Sequence, residues 1–281
     1  MRPNLLIAGC GKCGTTTLSY LLDKHPQIYM SKPKEPNFLS YANVFDKGWE
    51  WYESIFLPGK GCKVLGEASV SYTMEEYENS VMNKIKEHLK DIKVIYIARN
   101  PINRLESVYM EHHDSGYKNG WLLPYDLQEA TKYRPEMLKN SLYWERTEYL
   151  RQILPNENIL YLCLEDLVNT PQNLLDECYE FLCVDPFIIK NADTVQKNKS
   201  SLKSYDSKLL RFLKKRKTIF DLQPDFLIKL ENKFLRNSFG NATIHWDRDF
   251  REYFINFMKK DVSNYLRLAN KPSDFWGREY I

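Results

Sequence analysis

Hydrophobic residues form four short runs that we predict to be buried β-strands. The runs cover residues 4–10, 63–69, 93–99 and 158–166. They are rich in Val, Ile and Tyr, and they lack the apolar–polar alternation of a strand with one solvated face. Continuous apolar runs of this length are typical of parallel strands that are covered on both faces. The pattern therefore predicts a mostly parallel sheet in the protein interior.

Apolar residues recur at helical spacing between these runs. Leu18, Leu21 and Leu22 share one face of a first helix, which we expect to start behind a threonine N-terminus. Further helices are predicted over residues 76–89, 101–113, 170–182 and 249–269. Alternating strands and helices predict a doubly wound α/β fold. Residues 110–157 and 185–245 show no clear strand and are predicted to be helical or irregular insertions.

Length and composition narrow the classes of protein. The 281 residues suit one large α/β domain, so we predict a single domain over residues 1–281. A net charge of +3 does not indicate nucleic-acid binding, and the basic cluster 208–217 is typical of a solvated helix face, with attraction of an anionic polymer as the alternative. The six cysteines lack zinc-site spacing and mostly lie in apolar stretches, which favours a reducing compartment and no metal.

No apolar run approaches the length of a membrane span, and the N-terminal run is too short for a signal peptide. We therefore expect a soluble, cytoplasmic protein, unless an anchor precedes this chain.

The segment GCGKCGTTT, residues 9–17, lies between the first predicted strand and the first predicted helix. Glycines allow close approach of the backbone, threonine hydroxyls donate hydrogen bonds, and a helix N-terminus carries partial positive charge. A lysine adds a full charge. The segment therefore predicts an anion-binding loop made of Lys12, Cys13, Gly14, Thr15, Thr16 and Thr17.

The position of the lysine indicates which anion this loop binds. The usual loop G-x-x-x-x-G-K-[ST] places lysine directly before a hydroxyl residue that reaches Mg²⁺. Lys12 is followed by Cys13 and Gly14, so no adjacent lysine–hydroxyl pair organises a metal. The G-x-G-x-x-G spacing also fits, but no acidic residue ends a second strand about 20 residues further on. A phosphate-bearing donor that needs no metal suits the loop better.

A second motif, ARNPINRLESVY, follows the third predicted strand at residues 98–109. Arg99 is expected at the carboxyl edge of the sheet, where ligands bind in open α/β folds. Arg99 and Ser107 together offer a charge and a hydroxyl to a phosphate. Arg104 has two possible roles, a similar contact with the phosphate or an ion pair within the protein.

Both motifs resemble those of the sulfotransferase family that uses 3′-phosphoadenosine 5′-phosphosulfate (PAPS), and they are closest to its carbohydrate branch of heparan sulfate and bacterial enzymes. That family has a Lys-x-Gly-Thr-Thr loop for the 5′-phosphosulfate and R-[ND]-P-x-x-R-x-x-S-x-Y for the 3′-phosphate. Similarity in 66–72, 158–184 and the C-terminal residues extends the resemblance over nearly the whole chain. It implies a P-loop-NTPase-like three-layer fold with a central sheet flanked by helices.

The resemblance also implies a reaction. A sulfuryl group would move from PAPS to a hydroxyl of a carbohydrate or glycolipid, giving 3′-phosphoadenosine 5′-phosphate (PAP) without a metal. Lys12 would stabilise charge on the leaving phosphate oxygen. The family's K-E-x-x-F segment is here KEPNF, which makes Glu35 the expected general base. The alternative for Glu35 is an ion pair with Lys34 or Lys32.

The chain departs from the family pattern at two positions. Asn37 stands where many relatives have histidine, and Ala68 stands where the heparan sulfate enzymes have lysine. Glu67, beside Ala68, is assigned to the acceptor side. Lys199 is expected to contact the 3′-phosphate or the adenine. His112 and His113 are the next candidates for the base, or a polar helix end.

Two other functions also fit these residues. One is a nucleotide-dependent kinase with a divergent phosphate loop, which needs a metal-binding carboxylate such as Asp166 or Glu67. The other is a catalytically silent nucleotide-binding protein, because Asn37 and Ala68 replace functional residues of relatives.

Overall fold

The computed structural model describes residues 1–89, 91–116, 122–190, 204–207, 236–238 and 244–281. These residues divide into two compact units. The first comprises Met1–Arg104, Lys139–Lys197 and Tyr253–Ile281, and the second comprises Leu105–Leu138 and Asn198–Glu252. The single domain expected from length stays a prediction. Among the described residues, no helix is both long and apolar enough to cross a membrane.

A five-stranded parallel sheet forms the centre of the first unit. Its strands are β1 Leu5–Ala8, β2 Ile28–Met30, β3 Val64–Glu67, β4 Lys93–Ala98 and β5 Ile159–Cys163, in the order β2-β3-β1-β4-β5. Four of them confirm the predicted strands. The sequence did not reveal β2, because three residues at the edge of a sheet are too few to show a pattern.

The α-helices of the described residues are α1 Thr15–Leu22, α2 Ala42–Phe45, α3 Gly48–Ser54, α4 Glu78–His88, α5 Pro101–Gly116, α6 Leu127–Tyr133, α7 Glu136–Lys139, α8 Tyr143–Arg146, α9 Glu148–Ile153, α10 Leu164–Asn169, α11 Pro171–Leu182 and α12 Arg248–Leu268. The five predicted helices correspond to α1, α4, α5, α11 and α12. The structure begins α1 differently from the prediction. Its N-cap is Gly14 rather than a threonine, and Gly14 makes no side-chain capping bond.

Helices cover both faces of the sheet. Ile95 and Ile97 of β4 pack in one apolar cluster with residues of α1 and α11, such as Leu18 and Leu175. Successive side chains of a strand point to opposite faces, so Tyr96 faces the other way. There it meets Tyr265 of α12, whose hydroxyl donates to the carbonyl of Leu162 at 2.7 Å. The three predicted layers are therefore present.

The second unit contains a short antiparallel pair, β6 Ser204–Asp206 and β7 Arg236–Ser238, with Tyr205 opposite Asn237. No strand was predicted over 185–245, so that expectation was wrong at these six positions. Most of the segment lies outside the described residues, including the basic cluster 208–217.

Candidate functional site

The candidate site lies at the carboxyl edge of the sheet, between β1 and β4. From β1 the chain passes through α1 to β2 on one side of the sheet, whereas from β4 it continues to β5 on the other side. Neighbouring strands whose connections diverge in this way leave a crevice at their carboxyl ends, and ligands bind there in open α/β sheets. The glycine-rich loop follows β1, and Arg99 follows β4. The two predicted anion motifs therefore flank the same crevice.

The loop of residues 9–14 has an unusual backbone with three positive φ angles. Gly9, Lys12 and Gly14 all have positive φ angles, of 133°, 75° and 92°. A Cβ atom on Gly9 would come within 2.3 Å of the carbonyl oxygen of Ile97, so this glycine allows the loop to pack directly against β4. Only glycine permits that approach.

The N-terminus of α1 supplies the donors. Within the described part of the chain, the N–H groups of Thr15, Thr16 and Thr17 donate to no backbone acceptor. Unpaired N–H groups and the partial positive charge of a helix N-terminus favour an anion. The binding role of the loop residues named from the sequence stays a prediction.

Arg104 fixes this loop in place. It is 2% exposed, and its Nε donates to the carbonyl of Gly11 at 3.1 Å. Its Nη1 donates to the Ser141 hydroxyl at 2.7 Å. These two contacts hold the backbone of the loop of residues 9–14, and the two roles left open for Arg104 stay predictions.

Arg99 has a fixed backbone and an available side chain. The Tyr143 hydroxyl donates to the Arg99 carbonyl at 2.6 Å. Asn100 Oδ1 accepts the N–H of Ile102 at 3.0 Å and so caps α5. Among the contacts of the described residues, the Arg99 guanidinium has no hydrogen bond or ion pair, and the residue is half-buried. A planar, permanently charged donor in this state suits a phosphate.

The described geometry does not test the other predicted residues. Ser107 is buried on α5 in the second unit, where His113 packs against the ring of Tyr109 at 4.4 Å between centroids. The roles of Ser107 and of His112 and His113 stay predictions. Lys199 lies outside the described residues.

Glu35 lies in the segment that follows β2. Its side chain is 35% exposed. Its carboxylate forms an ion pair with Lys34, which is one of the two lysines predicted as its alternative partner. Lys32, the other, pairs with Asp23 at 3.6 Å. Glu35 has a positive φ of 58°, a rare conformation that needs support from neighbouring groups.

Asn37 supplies part of that support. Its φ is 55°, a conformation that asparagine adopts more readily than most residues. The Asn37 amide donates to the Glu35 carbonyl at 2.8 Å, and its Oδ1 accepts from the Ser71 hydroxyl at 2.6 Å. Asn37 is therefore a structural residue here. Ala68 is also buried, at 1% exposure.

The sequence analysis assigned Glu67 to the acceptor side, but the structure encloses this residue within the protein. The residue is completely buried, and its carboxylate accepts hydrogen bonds from the hydroxyls of Tyr52, Ser69 and Tyr72. Burial raises the pKa of this carboxyl group above its ordinary value, although the three hydroxyl donors act in the opposite direction.

The carboxylates named for a kinase are both engaged within the protein. The Glu67 carboxylate accepts hydrogen bonds from three hydroxyls, and Asp166 forms an ion pair with Lys271 at 3.0 Å. Among the described residues, no group of three or more His, Cys, Asp or Glu could hold a metal ion. Neither carboxylate therefore supports the kinase interpretation.

The two loop cysteines are packing residues. Cys10 and Cys13 are buried, with Cys10 Sγ 3.6 Å from the Tyr96 hydroxyl and Cys13 Sγ 4.0 Å from the Tyr143 hydroxyl. Burial raises the pKa of both thiols, that of Cys13 to about 12. Both are therefore neutral thiols at physiological pH and poor nucleophiles, despite their C-x-x-C spacing.

Sequence reasoning missed Tyr143 and the hydroxyls around Glu67. Tyr143 belongs to a segment with no motif, although it supports both Cys13 and Arg99. The serines and tyrosine of GEASVSY offered a signal, since a glutamate buried in a strand needs nearby donors.

Comparison with known proteins agrees with this geometry. A family model described as the sulfotransferase domain matches residues 2–225. The chain is 35% identical over 112 residues to the membrane-associated sulfotransferase kil1 of Dictyostelium discoideum, which covers 38% of this chain and 22% of that protein. It is 24% identical over 190 residues to heparan sulfate glucosamine 3-O-sulfotransferase 6 of Homo sapiens, covering 64% of this chain and 52% of that protein. The chain thus spans at most about half of the length of these two relatives.

Two solved structures resemble the fold. A sulfotransferase from Alicyclobacillus acidocaldarius superposes with a TM-score of 0.67 at 18% identity, covering 98% of this chain and 99% of the other. A sulfotransferase domain from the curacin biosynthetic pathway superposes with a TM-score of 0.50 at 18% identity, covering 96% and 97%. These likenesses bear on the fold alone.

Proposed function

Because the chain belongs to the sulfotransferase family, we propose that it moves a sulfuryl group from PAPS to a hydroxyl of a saccharide or glycolipid and releases PAP. The observation that carries the proposal is the pair of anion-binding features in one crevice. The unpaired N–H groups of Thr15, Thr16 and Thr17 lie after β1, and the available guanidinium of Arg99 lies after β4. PAPS has phosphate groups at two separate positions, and the crevice offers a separate set of cationic and N–H groups for each of them.

The loop holds the 5′-phosphosulfate in this proposal. Backbone N–H groups and the Lys12 ammonium carry positive charge toward the bridging oxygen, where negative charge develops as the donor breaks down. Arg99 takes the 3′-phosphate. Contributions of Ser107 and Lys199 to the same phosphate come from the sequence motif alone.

Glu35 acts as the general base. It takes the proton of the acceptor hydroxyl while the acceptor oxygen forms a bond to sulfur and the bond from sulfur to the 5′-phosphate oxygen breaks. The electron pair of the broken bond stays on PAP, next to Lys12. Two features support Glu35 for this role: its carboxylate is part-exposed, and its backbone is held in a rare conformation.

The similarity to the human heparan sulfate glucosamine 3-O-sulfotransferase 6 supports a saccharide acceptor. The relation is distant, and Ala68 replaces the lysine of that branch. We therefore expect an acceptor that differs in charge or linkage from a heparan sulfate precursor.

Transfer of labelled sulfate from PAPS to a panel of desulfated glycans and glycolipids tests the proposal. The reactions with PAPS contain a chelator, a parallel set contains labelled ATP and Mg²⁺ without chelator, and Lys12→Ala serves as the inactive control. Label in a glycan or glycolipid with the wild type alone supports the proposal. Metal-dependent transfer of phosphate from ATP to the same panel would contradict it.

A further inference from the structure

Glu67 is a buried charge-bearing residue that the proposed reaction does not use. It ends β3 opposite Leu6 of β1, and no part of it reaches solvent. Such a residue is costly to retain unless its oxygen atoms are satisfied. The described structure satisfies them with three hydroxyl groups, one each from Tyr52, Ser69 and Tyr72.

Two of these hydroxyls continue to the backbone of the segment that carries Glu35. The Ser69 hydroxyl donates to Glu67 Oε2 and accepts the N–H of Asn37 at 3.1 Å. The Tyr72 hydroxyl donates to Glu67 Oε1 at 2.6 Å and accepts the N–H of Leu39 at 3.2 Å. Each oxygen of one carboxylate is therefore connected through a single hydroxyl to one backbone amide. A hydroxyl has one proton, so an ionised carboxylate fixes its direction and leaves its lone pairs for the amide.

The hydroxyl of Tyr52 differs from the other two. It donates to Glu67 Oε1, but it accepts no N–H from residues 37–39 among the described contacts. Its ring stacks on Phe38 with centroids 4.2 Å apart, a contact that does not depend on the hydroxyl. Tyr52 provides a comparison, because its hydroxyl bonds to the same carboxylate, and also interacts with the Tyr72 hydroxyl, but makes no described bond of its own to an amide of residues 37–39.

The link reaches Glu35 through Asn37. The Asn37 amide nitrogen is held by Ser69, and its side chain donates to the Glu35 carbonyl at 2.8 Å. Glu35 and Asn37 both have positive φ angles, of 58° and 55°. Strained backbone persists only where surrounding groups over-determine it. The two amides held at positions 37 and 39 are such constraints.

From this arrangement we infer that Glu67 is a positioning residue, whose carboxylate holds residues 37–39 through Ser69 and Tyr72 and thereby fixes the orientation of Glu35. The inference rests on the proposed function, because Glu35 is the base there. It assigns Glu67 no contact with donor or acceptor.

Three single-hydroxyl variants test the inference: Ser69→Ala, Tyr72→Phe and, as the matched control, Tyr52→Phe. Backbone amide hydrogen exchange is measured by NMR in the ligand-free protein, so this measurement needs no acceptor substrate. Loss of one hydrogen bond corresponds to about a tenfold rise in exchange. We expect that rise at Asn37 in Ser69→Ala and at Leu39 in Tyr72→Phe. Tyr52→Phe should change both amides less than about twofold.

Turnover provides the second reading. In Ser69→Ala and Tyr72→Phe we expect kcat to fall about tenfold, because a misaligned base loses rate, while KM for PAPS stays constant. Tyr52→Phe should keep kcat within about twofold, even if its unfolding temperature falls as far as that of the other two.

The two readings separate failure of this inference from failure of the proposed function. Equal exchange at Asn37 and Leu39 in all three variants would overturn the positioning role, as would a fall in kcat that follows the unfolding temperature. If the exchange pattern appears as expected but the wild type transfers no sulfate from PAPS, Glu67 still holds residues 37–39 and the proposed function fails.

Discussion

The guanidinium of Arg104 donates from Nε to the carbonyl of Gly11 across 93 residues of sequence, at a distance of 3.1 Å. A second bond from the same fork reaches the Ser141 hydroxyl. The side chain of Arg104 thus holds the loop that leads into α1, and it can do so without contact to the anion. We therefore expect substitution of Arg104 to lower both the affinity for PAP and the stability of the fold, and substitution of Arg99 to lower only the affinity for PAP.

Arg104→Lys should weaken both PAP binding and the fold. Lysine cannot reproduce the two bonds of the planar fork, so the Gly11 carbonyl or the Ser141 hydroxyl loses its buried partner. We expect PAP affinity to fall about tenfold and the unfolding temperature to fall by several degrees. Calorimetric titration and thermal unfolding measure the two effects. The control is Arg267→Lys on the exposed face of α12, which should change neither.

Arg99→Met should weaken PAP binding and leave the stability unchanged. The Arg99 side chain is half-buried and forms no ion pair within the described chain, so the fold does not depend on its charge. A charge-assisted hydrogen bond to phosphate contributes about 1.5–3 kcal/mol, which corresponds to a loss of about 10- to 100-fold in affinity. The same two measurements apply. A lower unfolding temperature with unchanged PAP affinity would show that Arg99 is a structural residue.

Glu35→Gln should abolish transfer but keep PAP binding. Removal of a general base costs about 10²- to 10⁴-fold in rate, whereas the donor phosphates are held elsewhere. Single-turnover transfer of labelled sulfate and calorimetry with PAP measure the two quantities. Glu76→Gln replaces an exposed carboxylate of the same unit and should behave like the wild type. If Glu35→Gln keeps most of its turnover, the base lies elsewhere.

Asp261 should make the fold more stable under mild acid. Its carboxylate accepts the N–H groups of Trp144 and Glu145 at 3.1 and 2.9 Å, and burial raises its pKa to about 6. The unfolded chain has the ordinary, lower pKa, so between about pH 4 and pH 6 the folded protein binds more protons. Stability from this group is therefore gained as the pH falls through that window.

Asp261→Asn removes this dependence. Unfolding temperatures of the variant and the wild type are compared from pH 7.5 to pH 5, and groups common to both cancel in the difference. Relative to the variant, the wild type should gain about 1–1.5 kcal/mol between pH 7.5 and pH 5. Parallel curves would mean that the Asp261 carboxyl has an ordinary pKa in the folded protein.

The features that the sequence predicted are those encoded by neighbouring residues. Continuous apolar runs predicted four strands of the sheet, and the glycines, Lys12 and threonines form one contiguous loop whose chemistry is local. Arg99 was found in the same way, because it directly follows a strand. The edge strand β2 was missed because it has only three residues.

The features that the sequence did not predict depend on contacts between distant residues. No pattern in the sequence pairs Arg104 with Gly11, or Ser69 with Asn37, since their proximity follows from the sheet order. Glu67 was misassigned for the same reason. A glutamate at the end of a strand looks like a site residue, and only the positions of Tyr52 and Tyr72 show that it is enclosed.

Calorimetric titration of the wild type, with PAP in the presence of a chelator and with ATP in the presence of Mg²⁺, tests most directly whether the early lysine in GKCGTTT selects a metal-free phosphosulfate donor. We predict micromolar or tighter binding of PAP without metal, at least about 8 kcal/mol of binding free energy, and much weaker binding of ATP with Mg²⁺. Preference for ATP with Mg²⁺, or no binding of PAP, would contradict sulfuryl transfer by this protein.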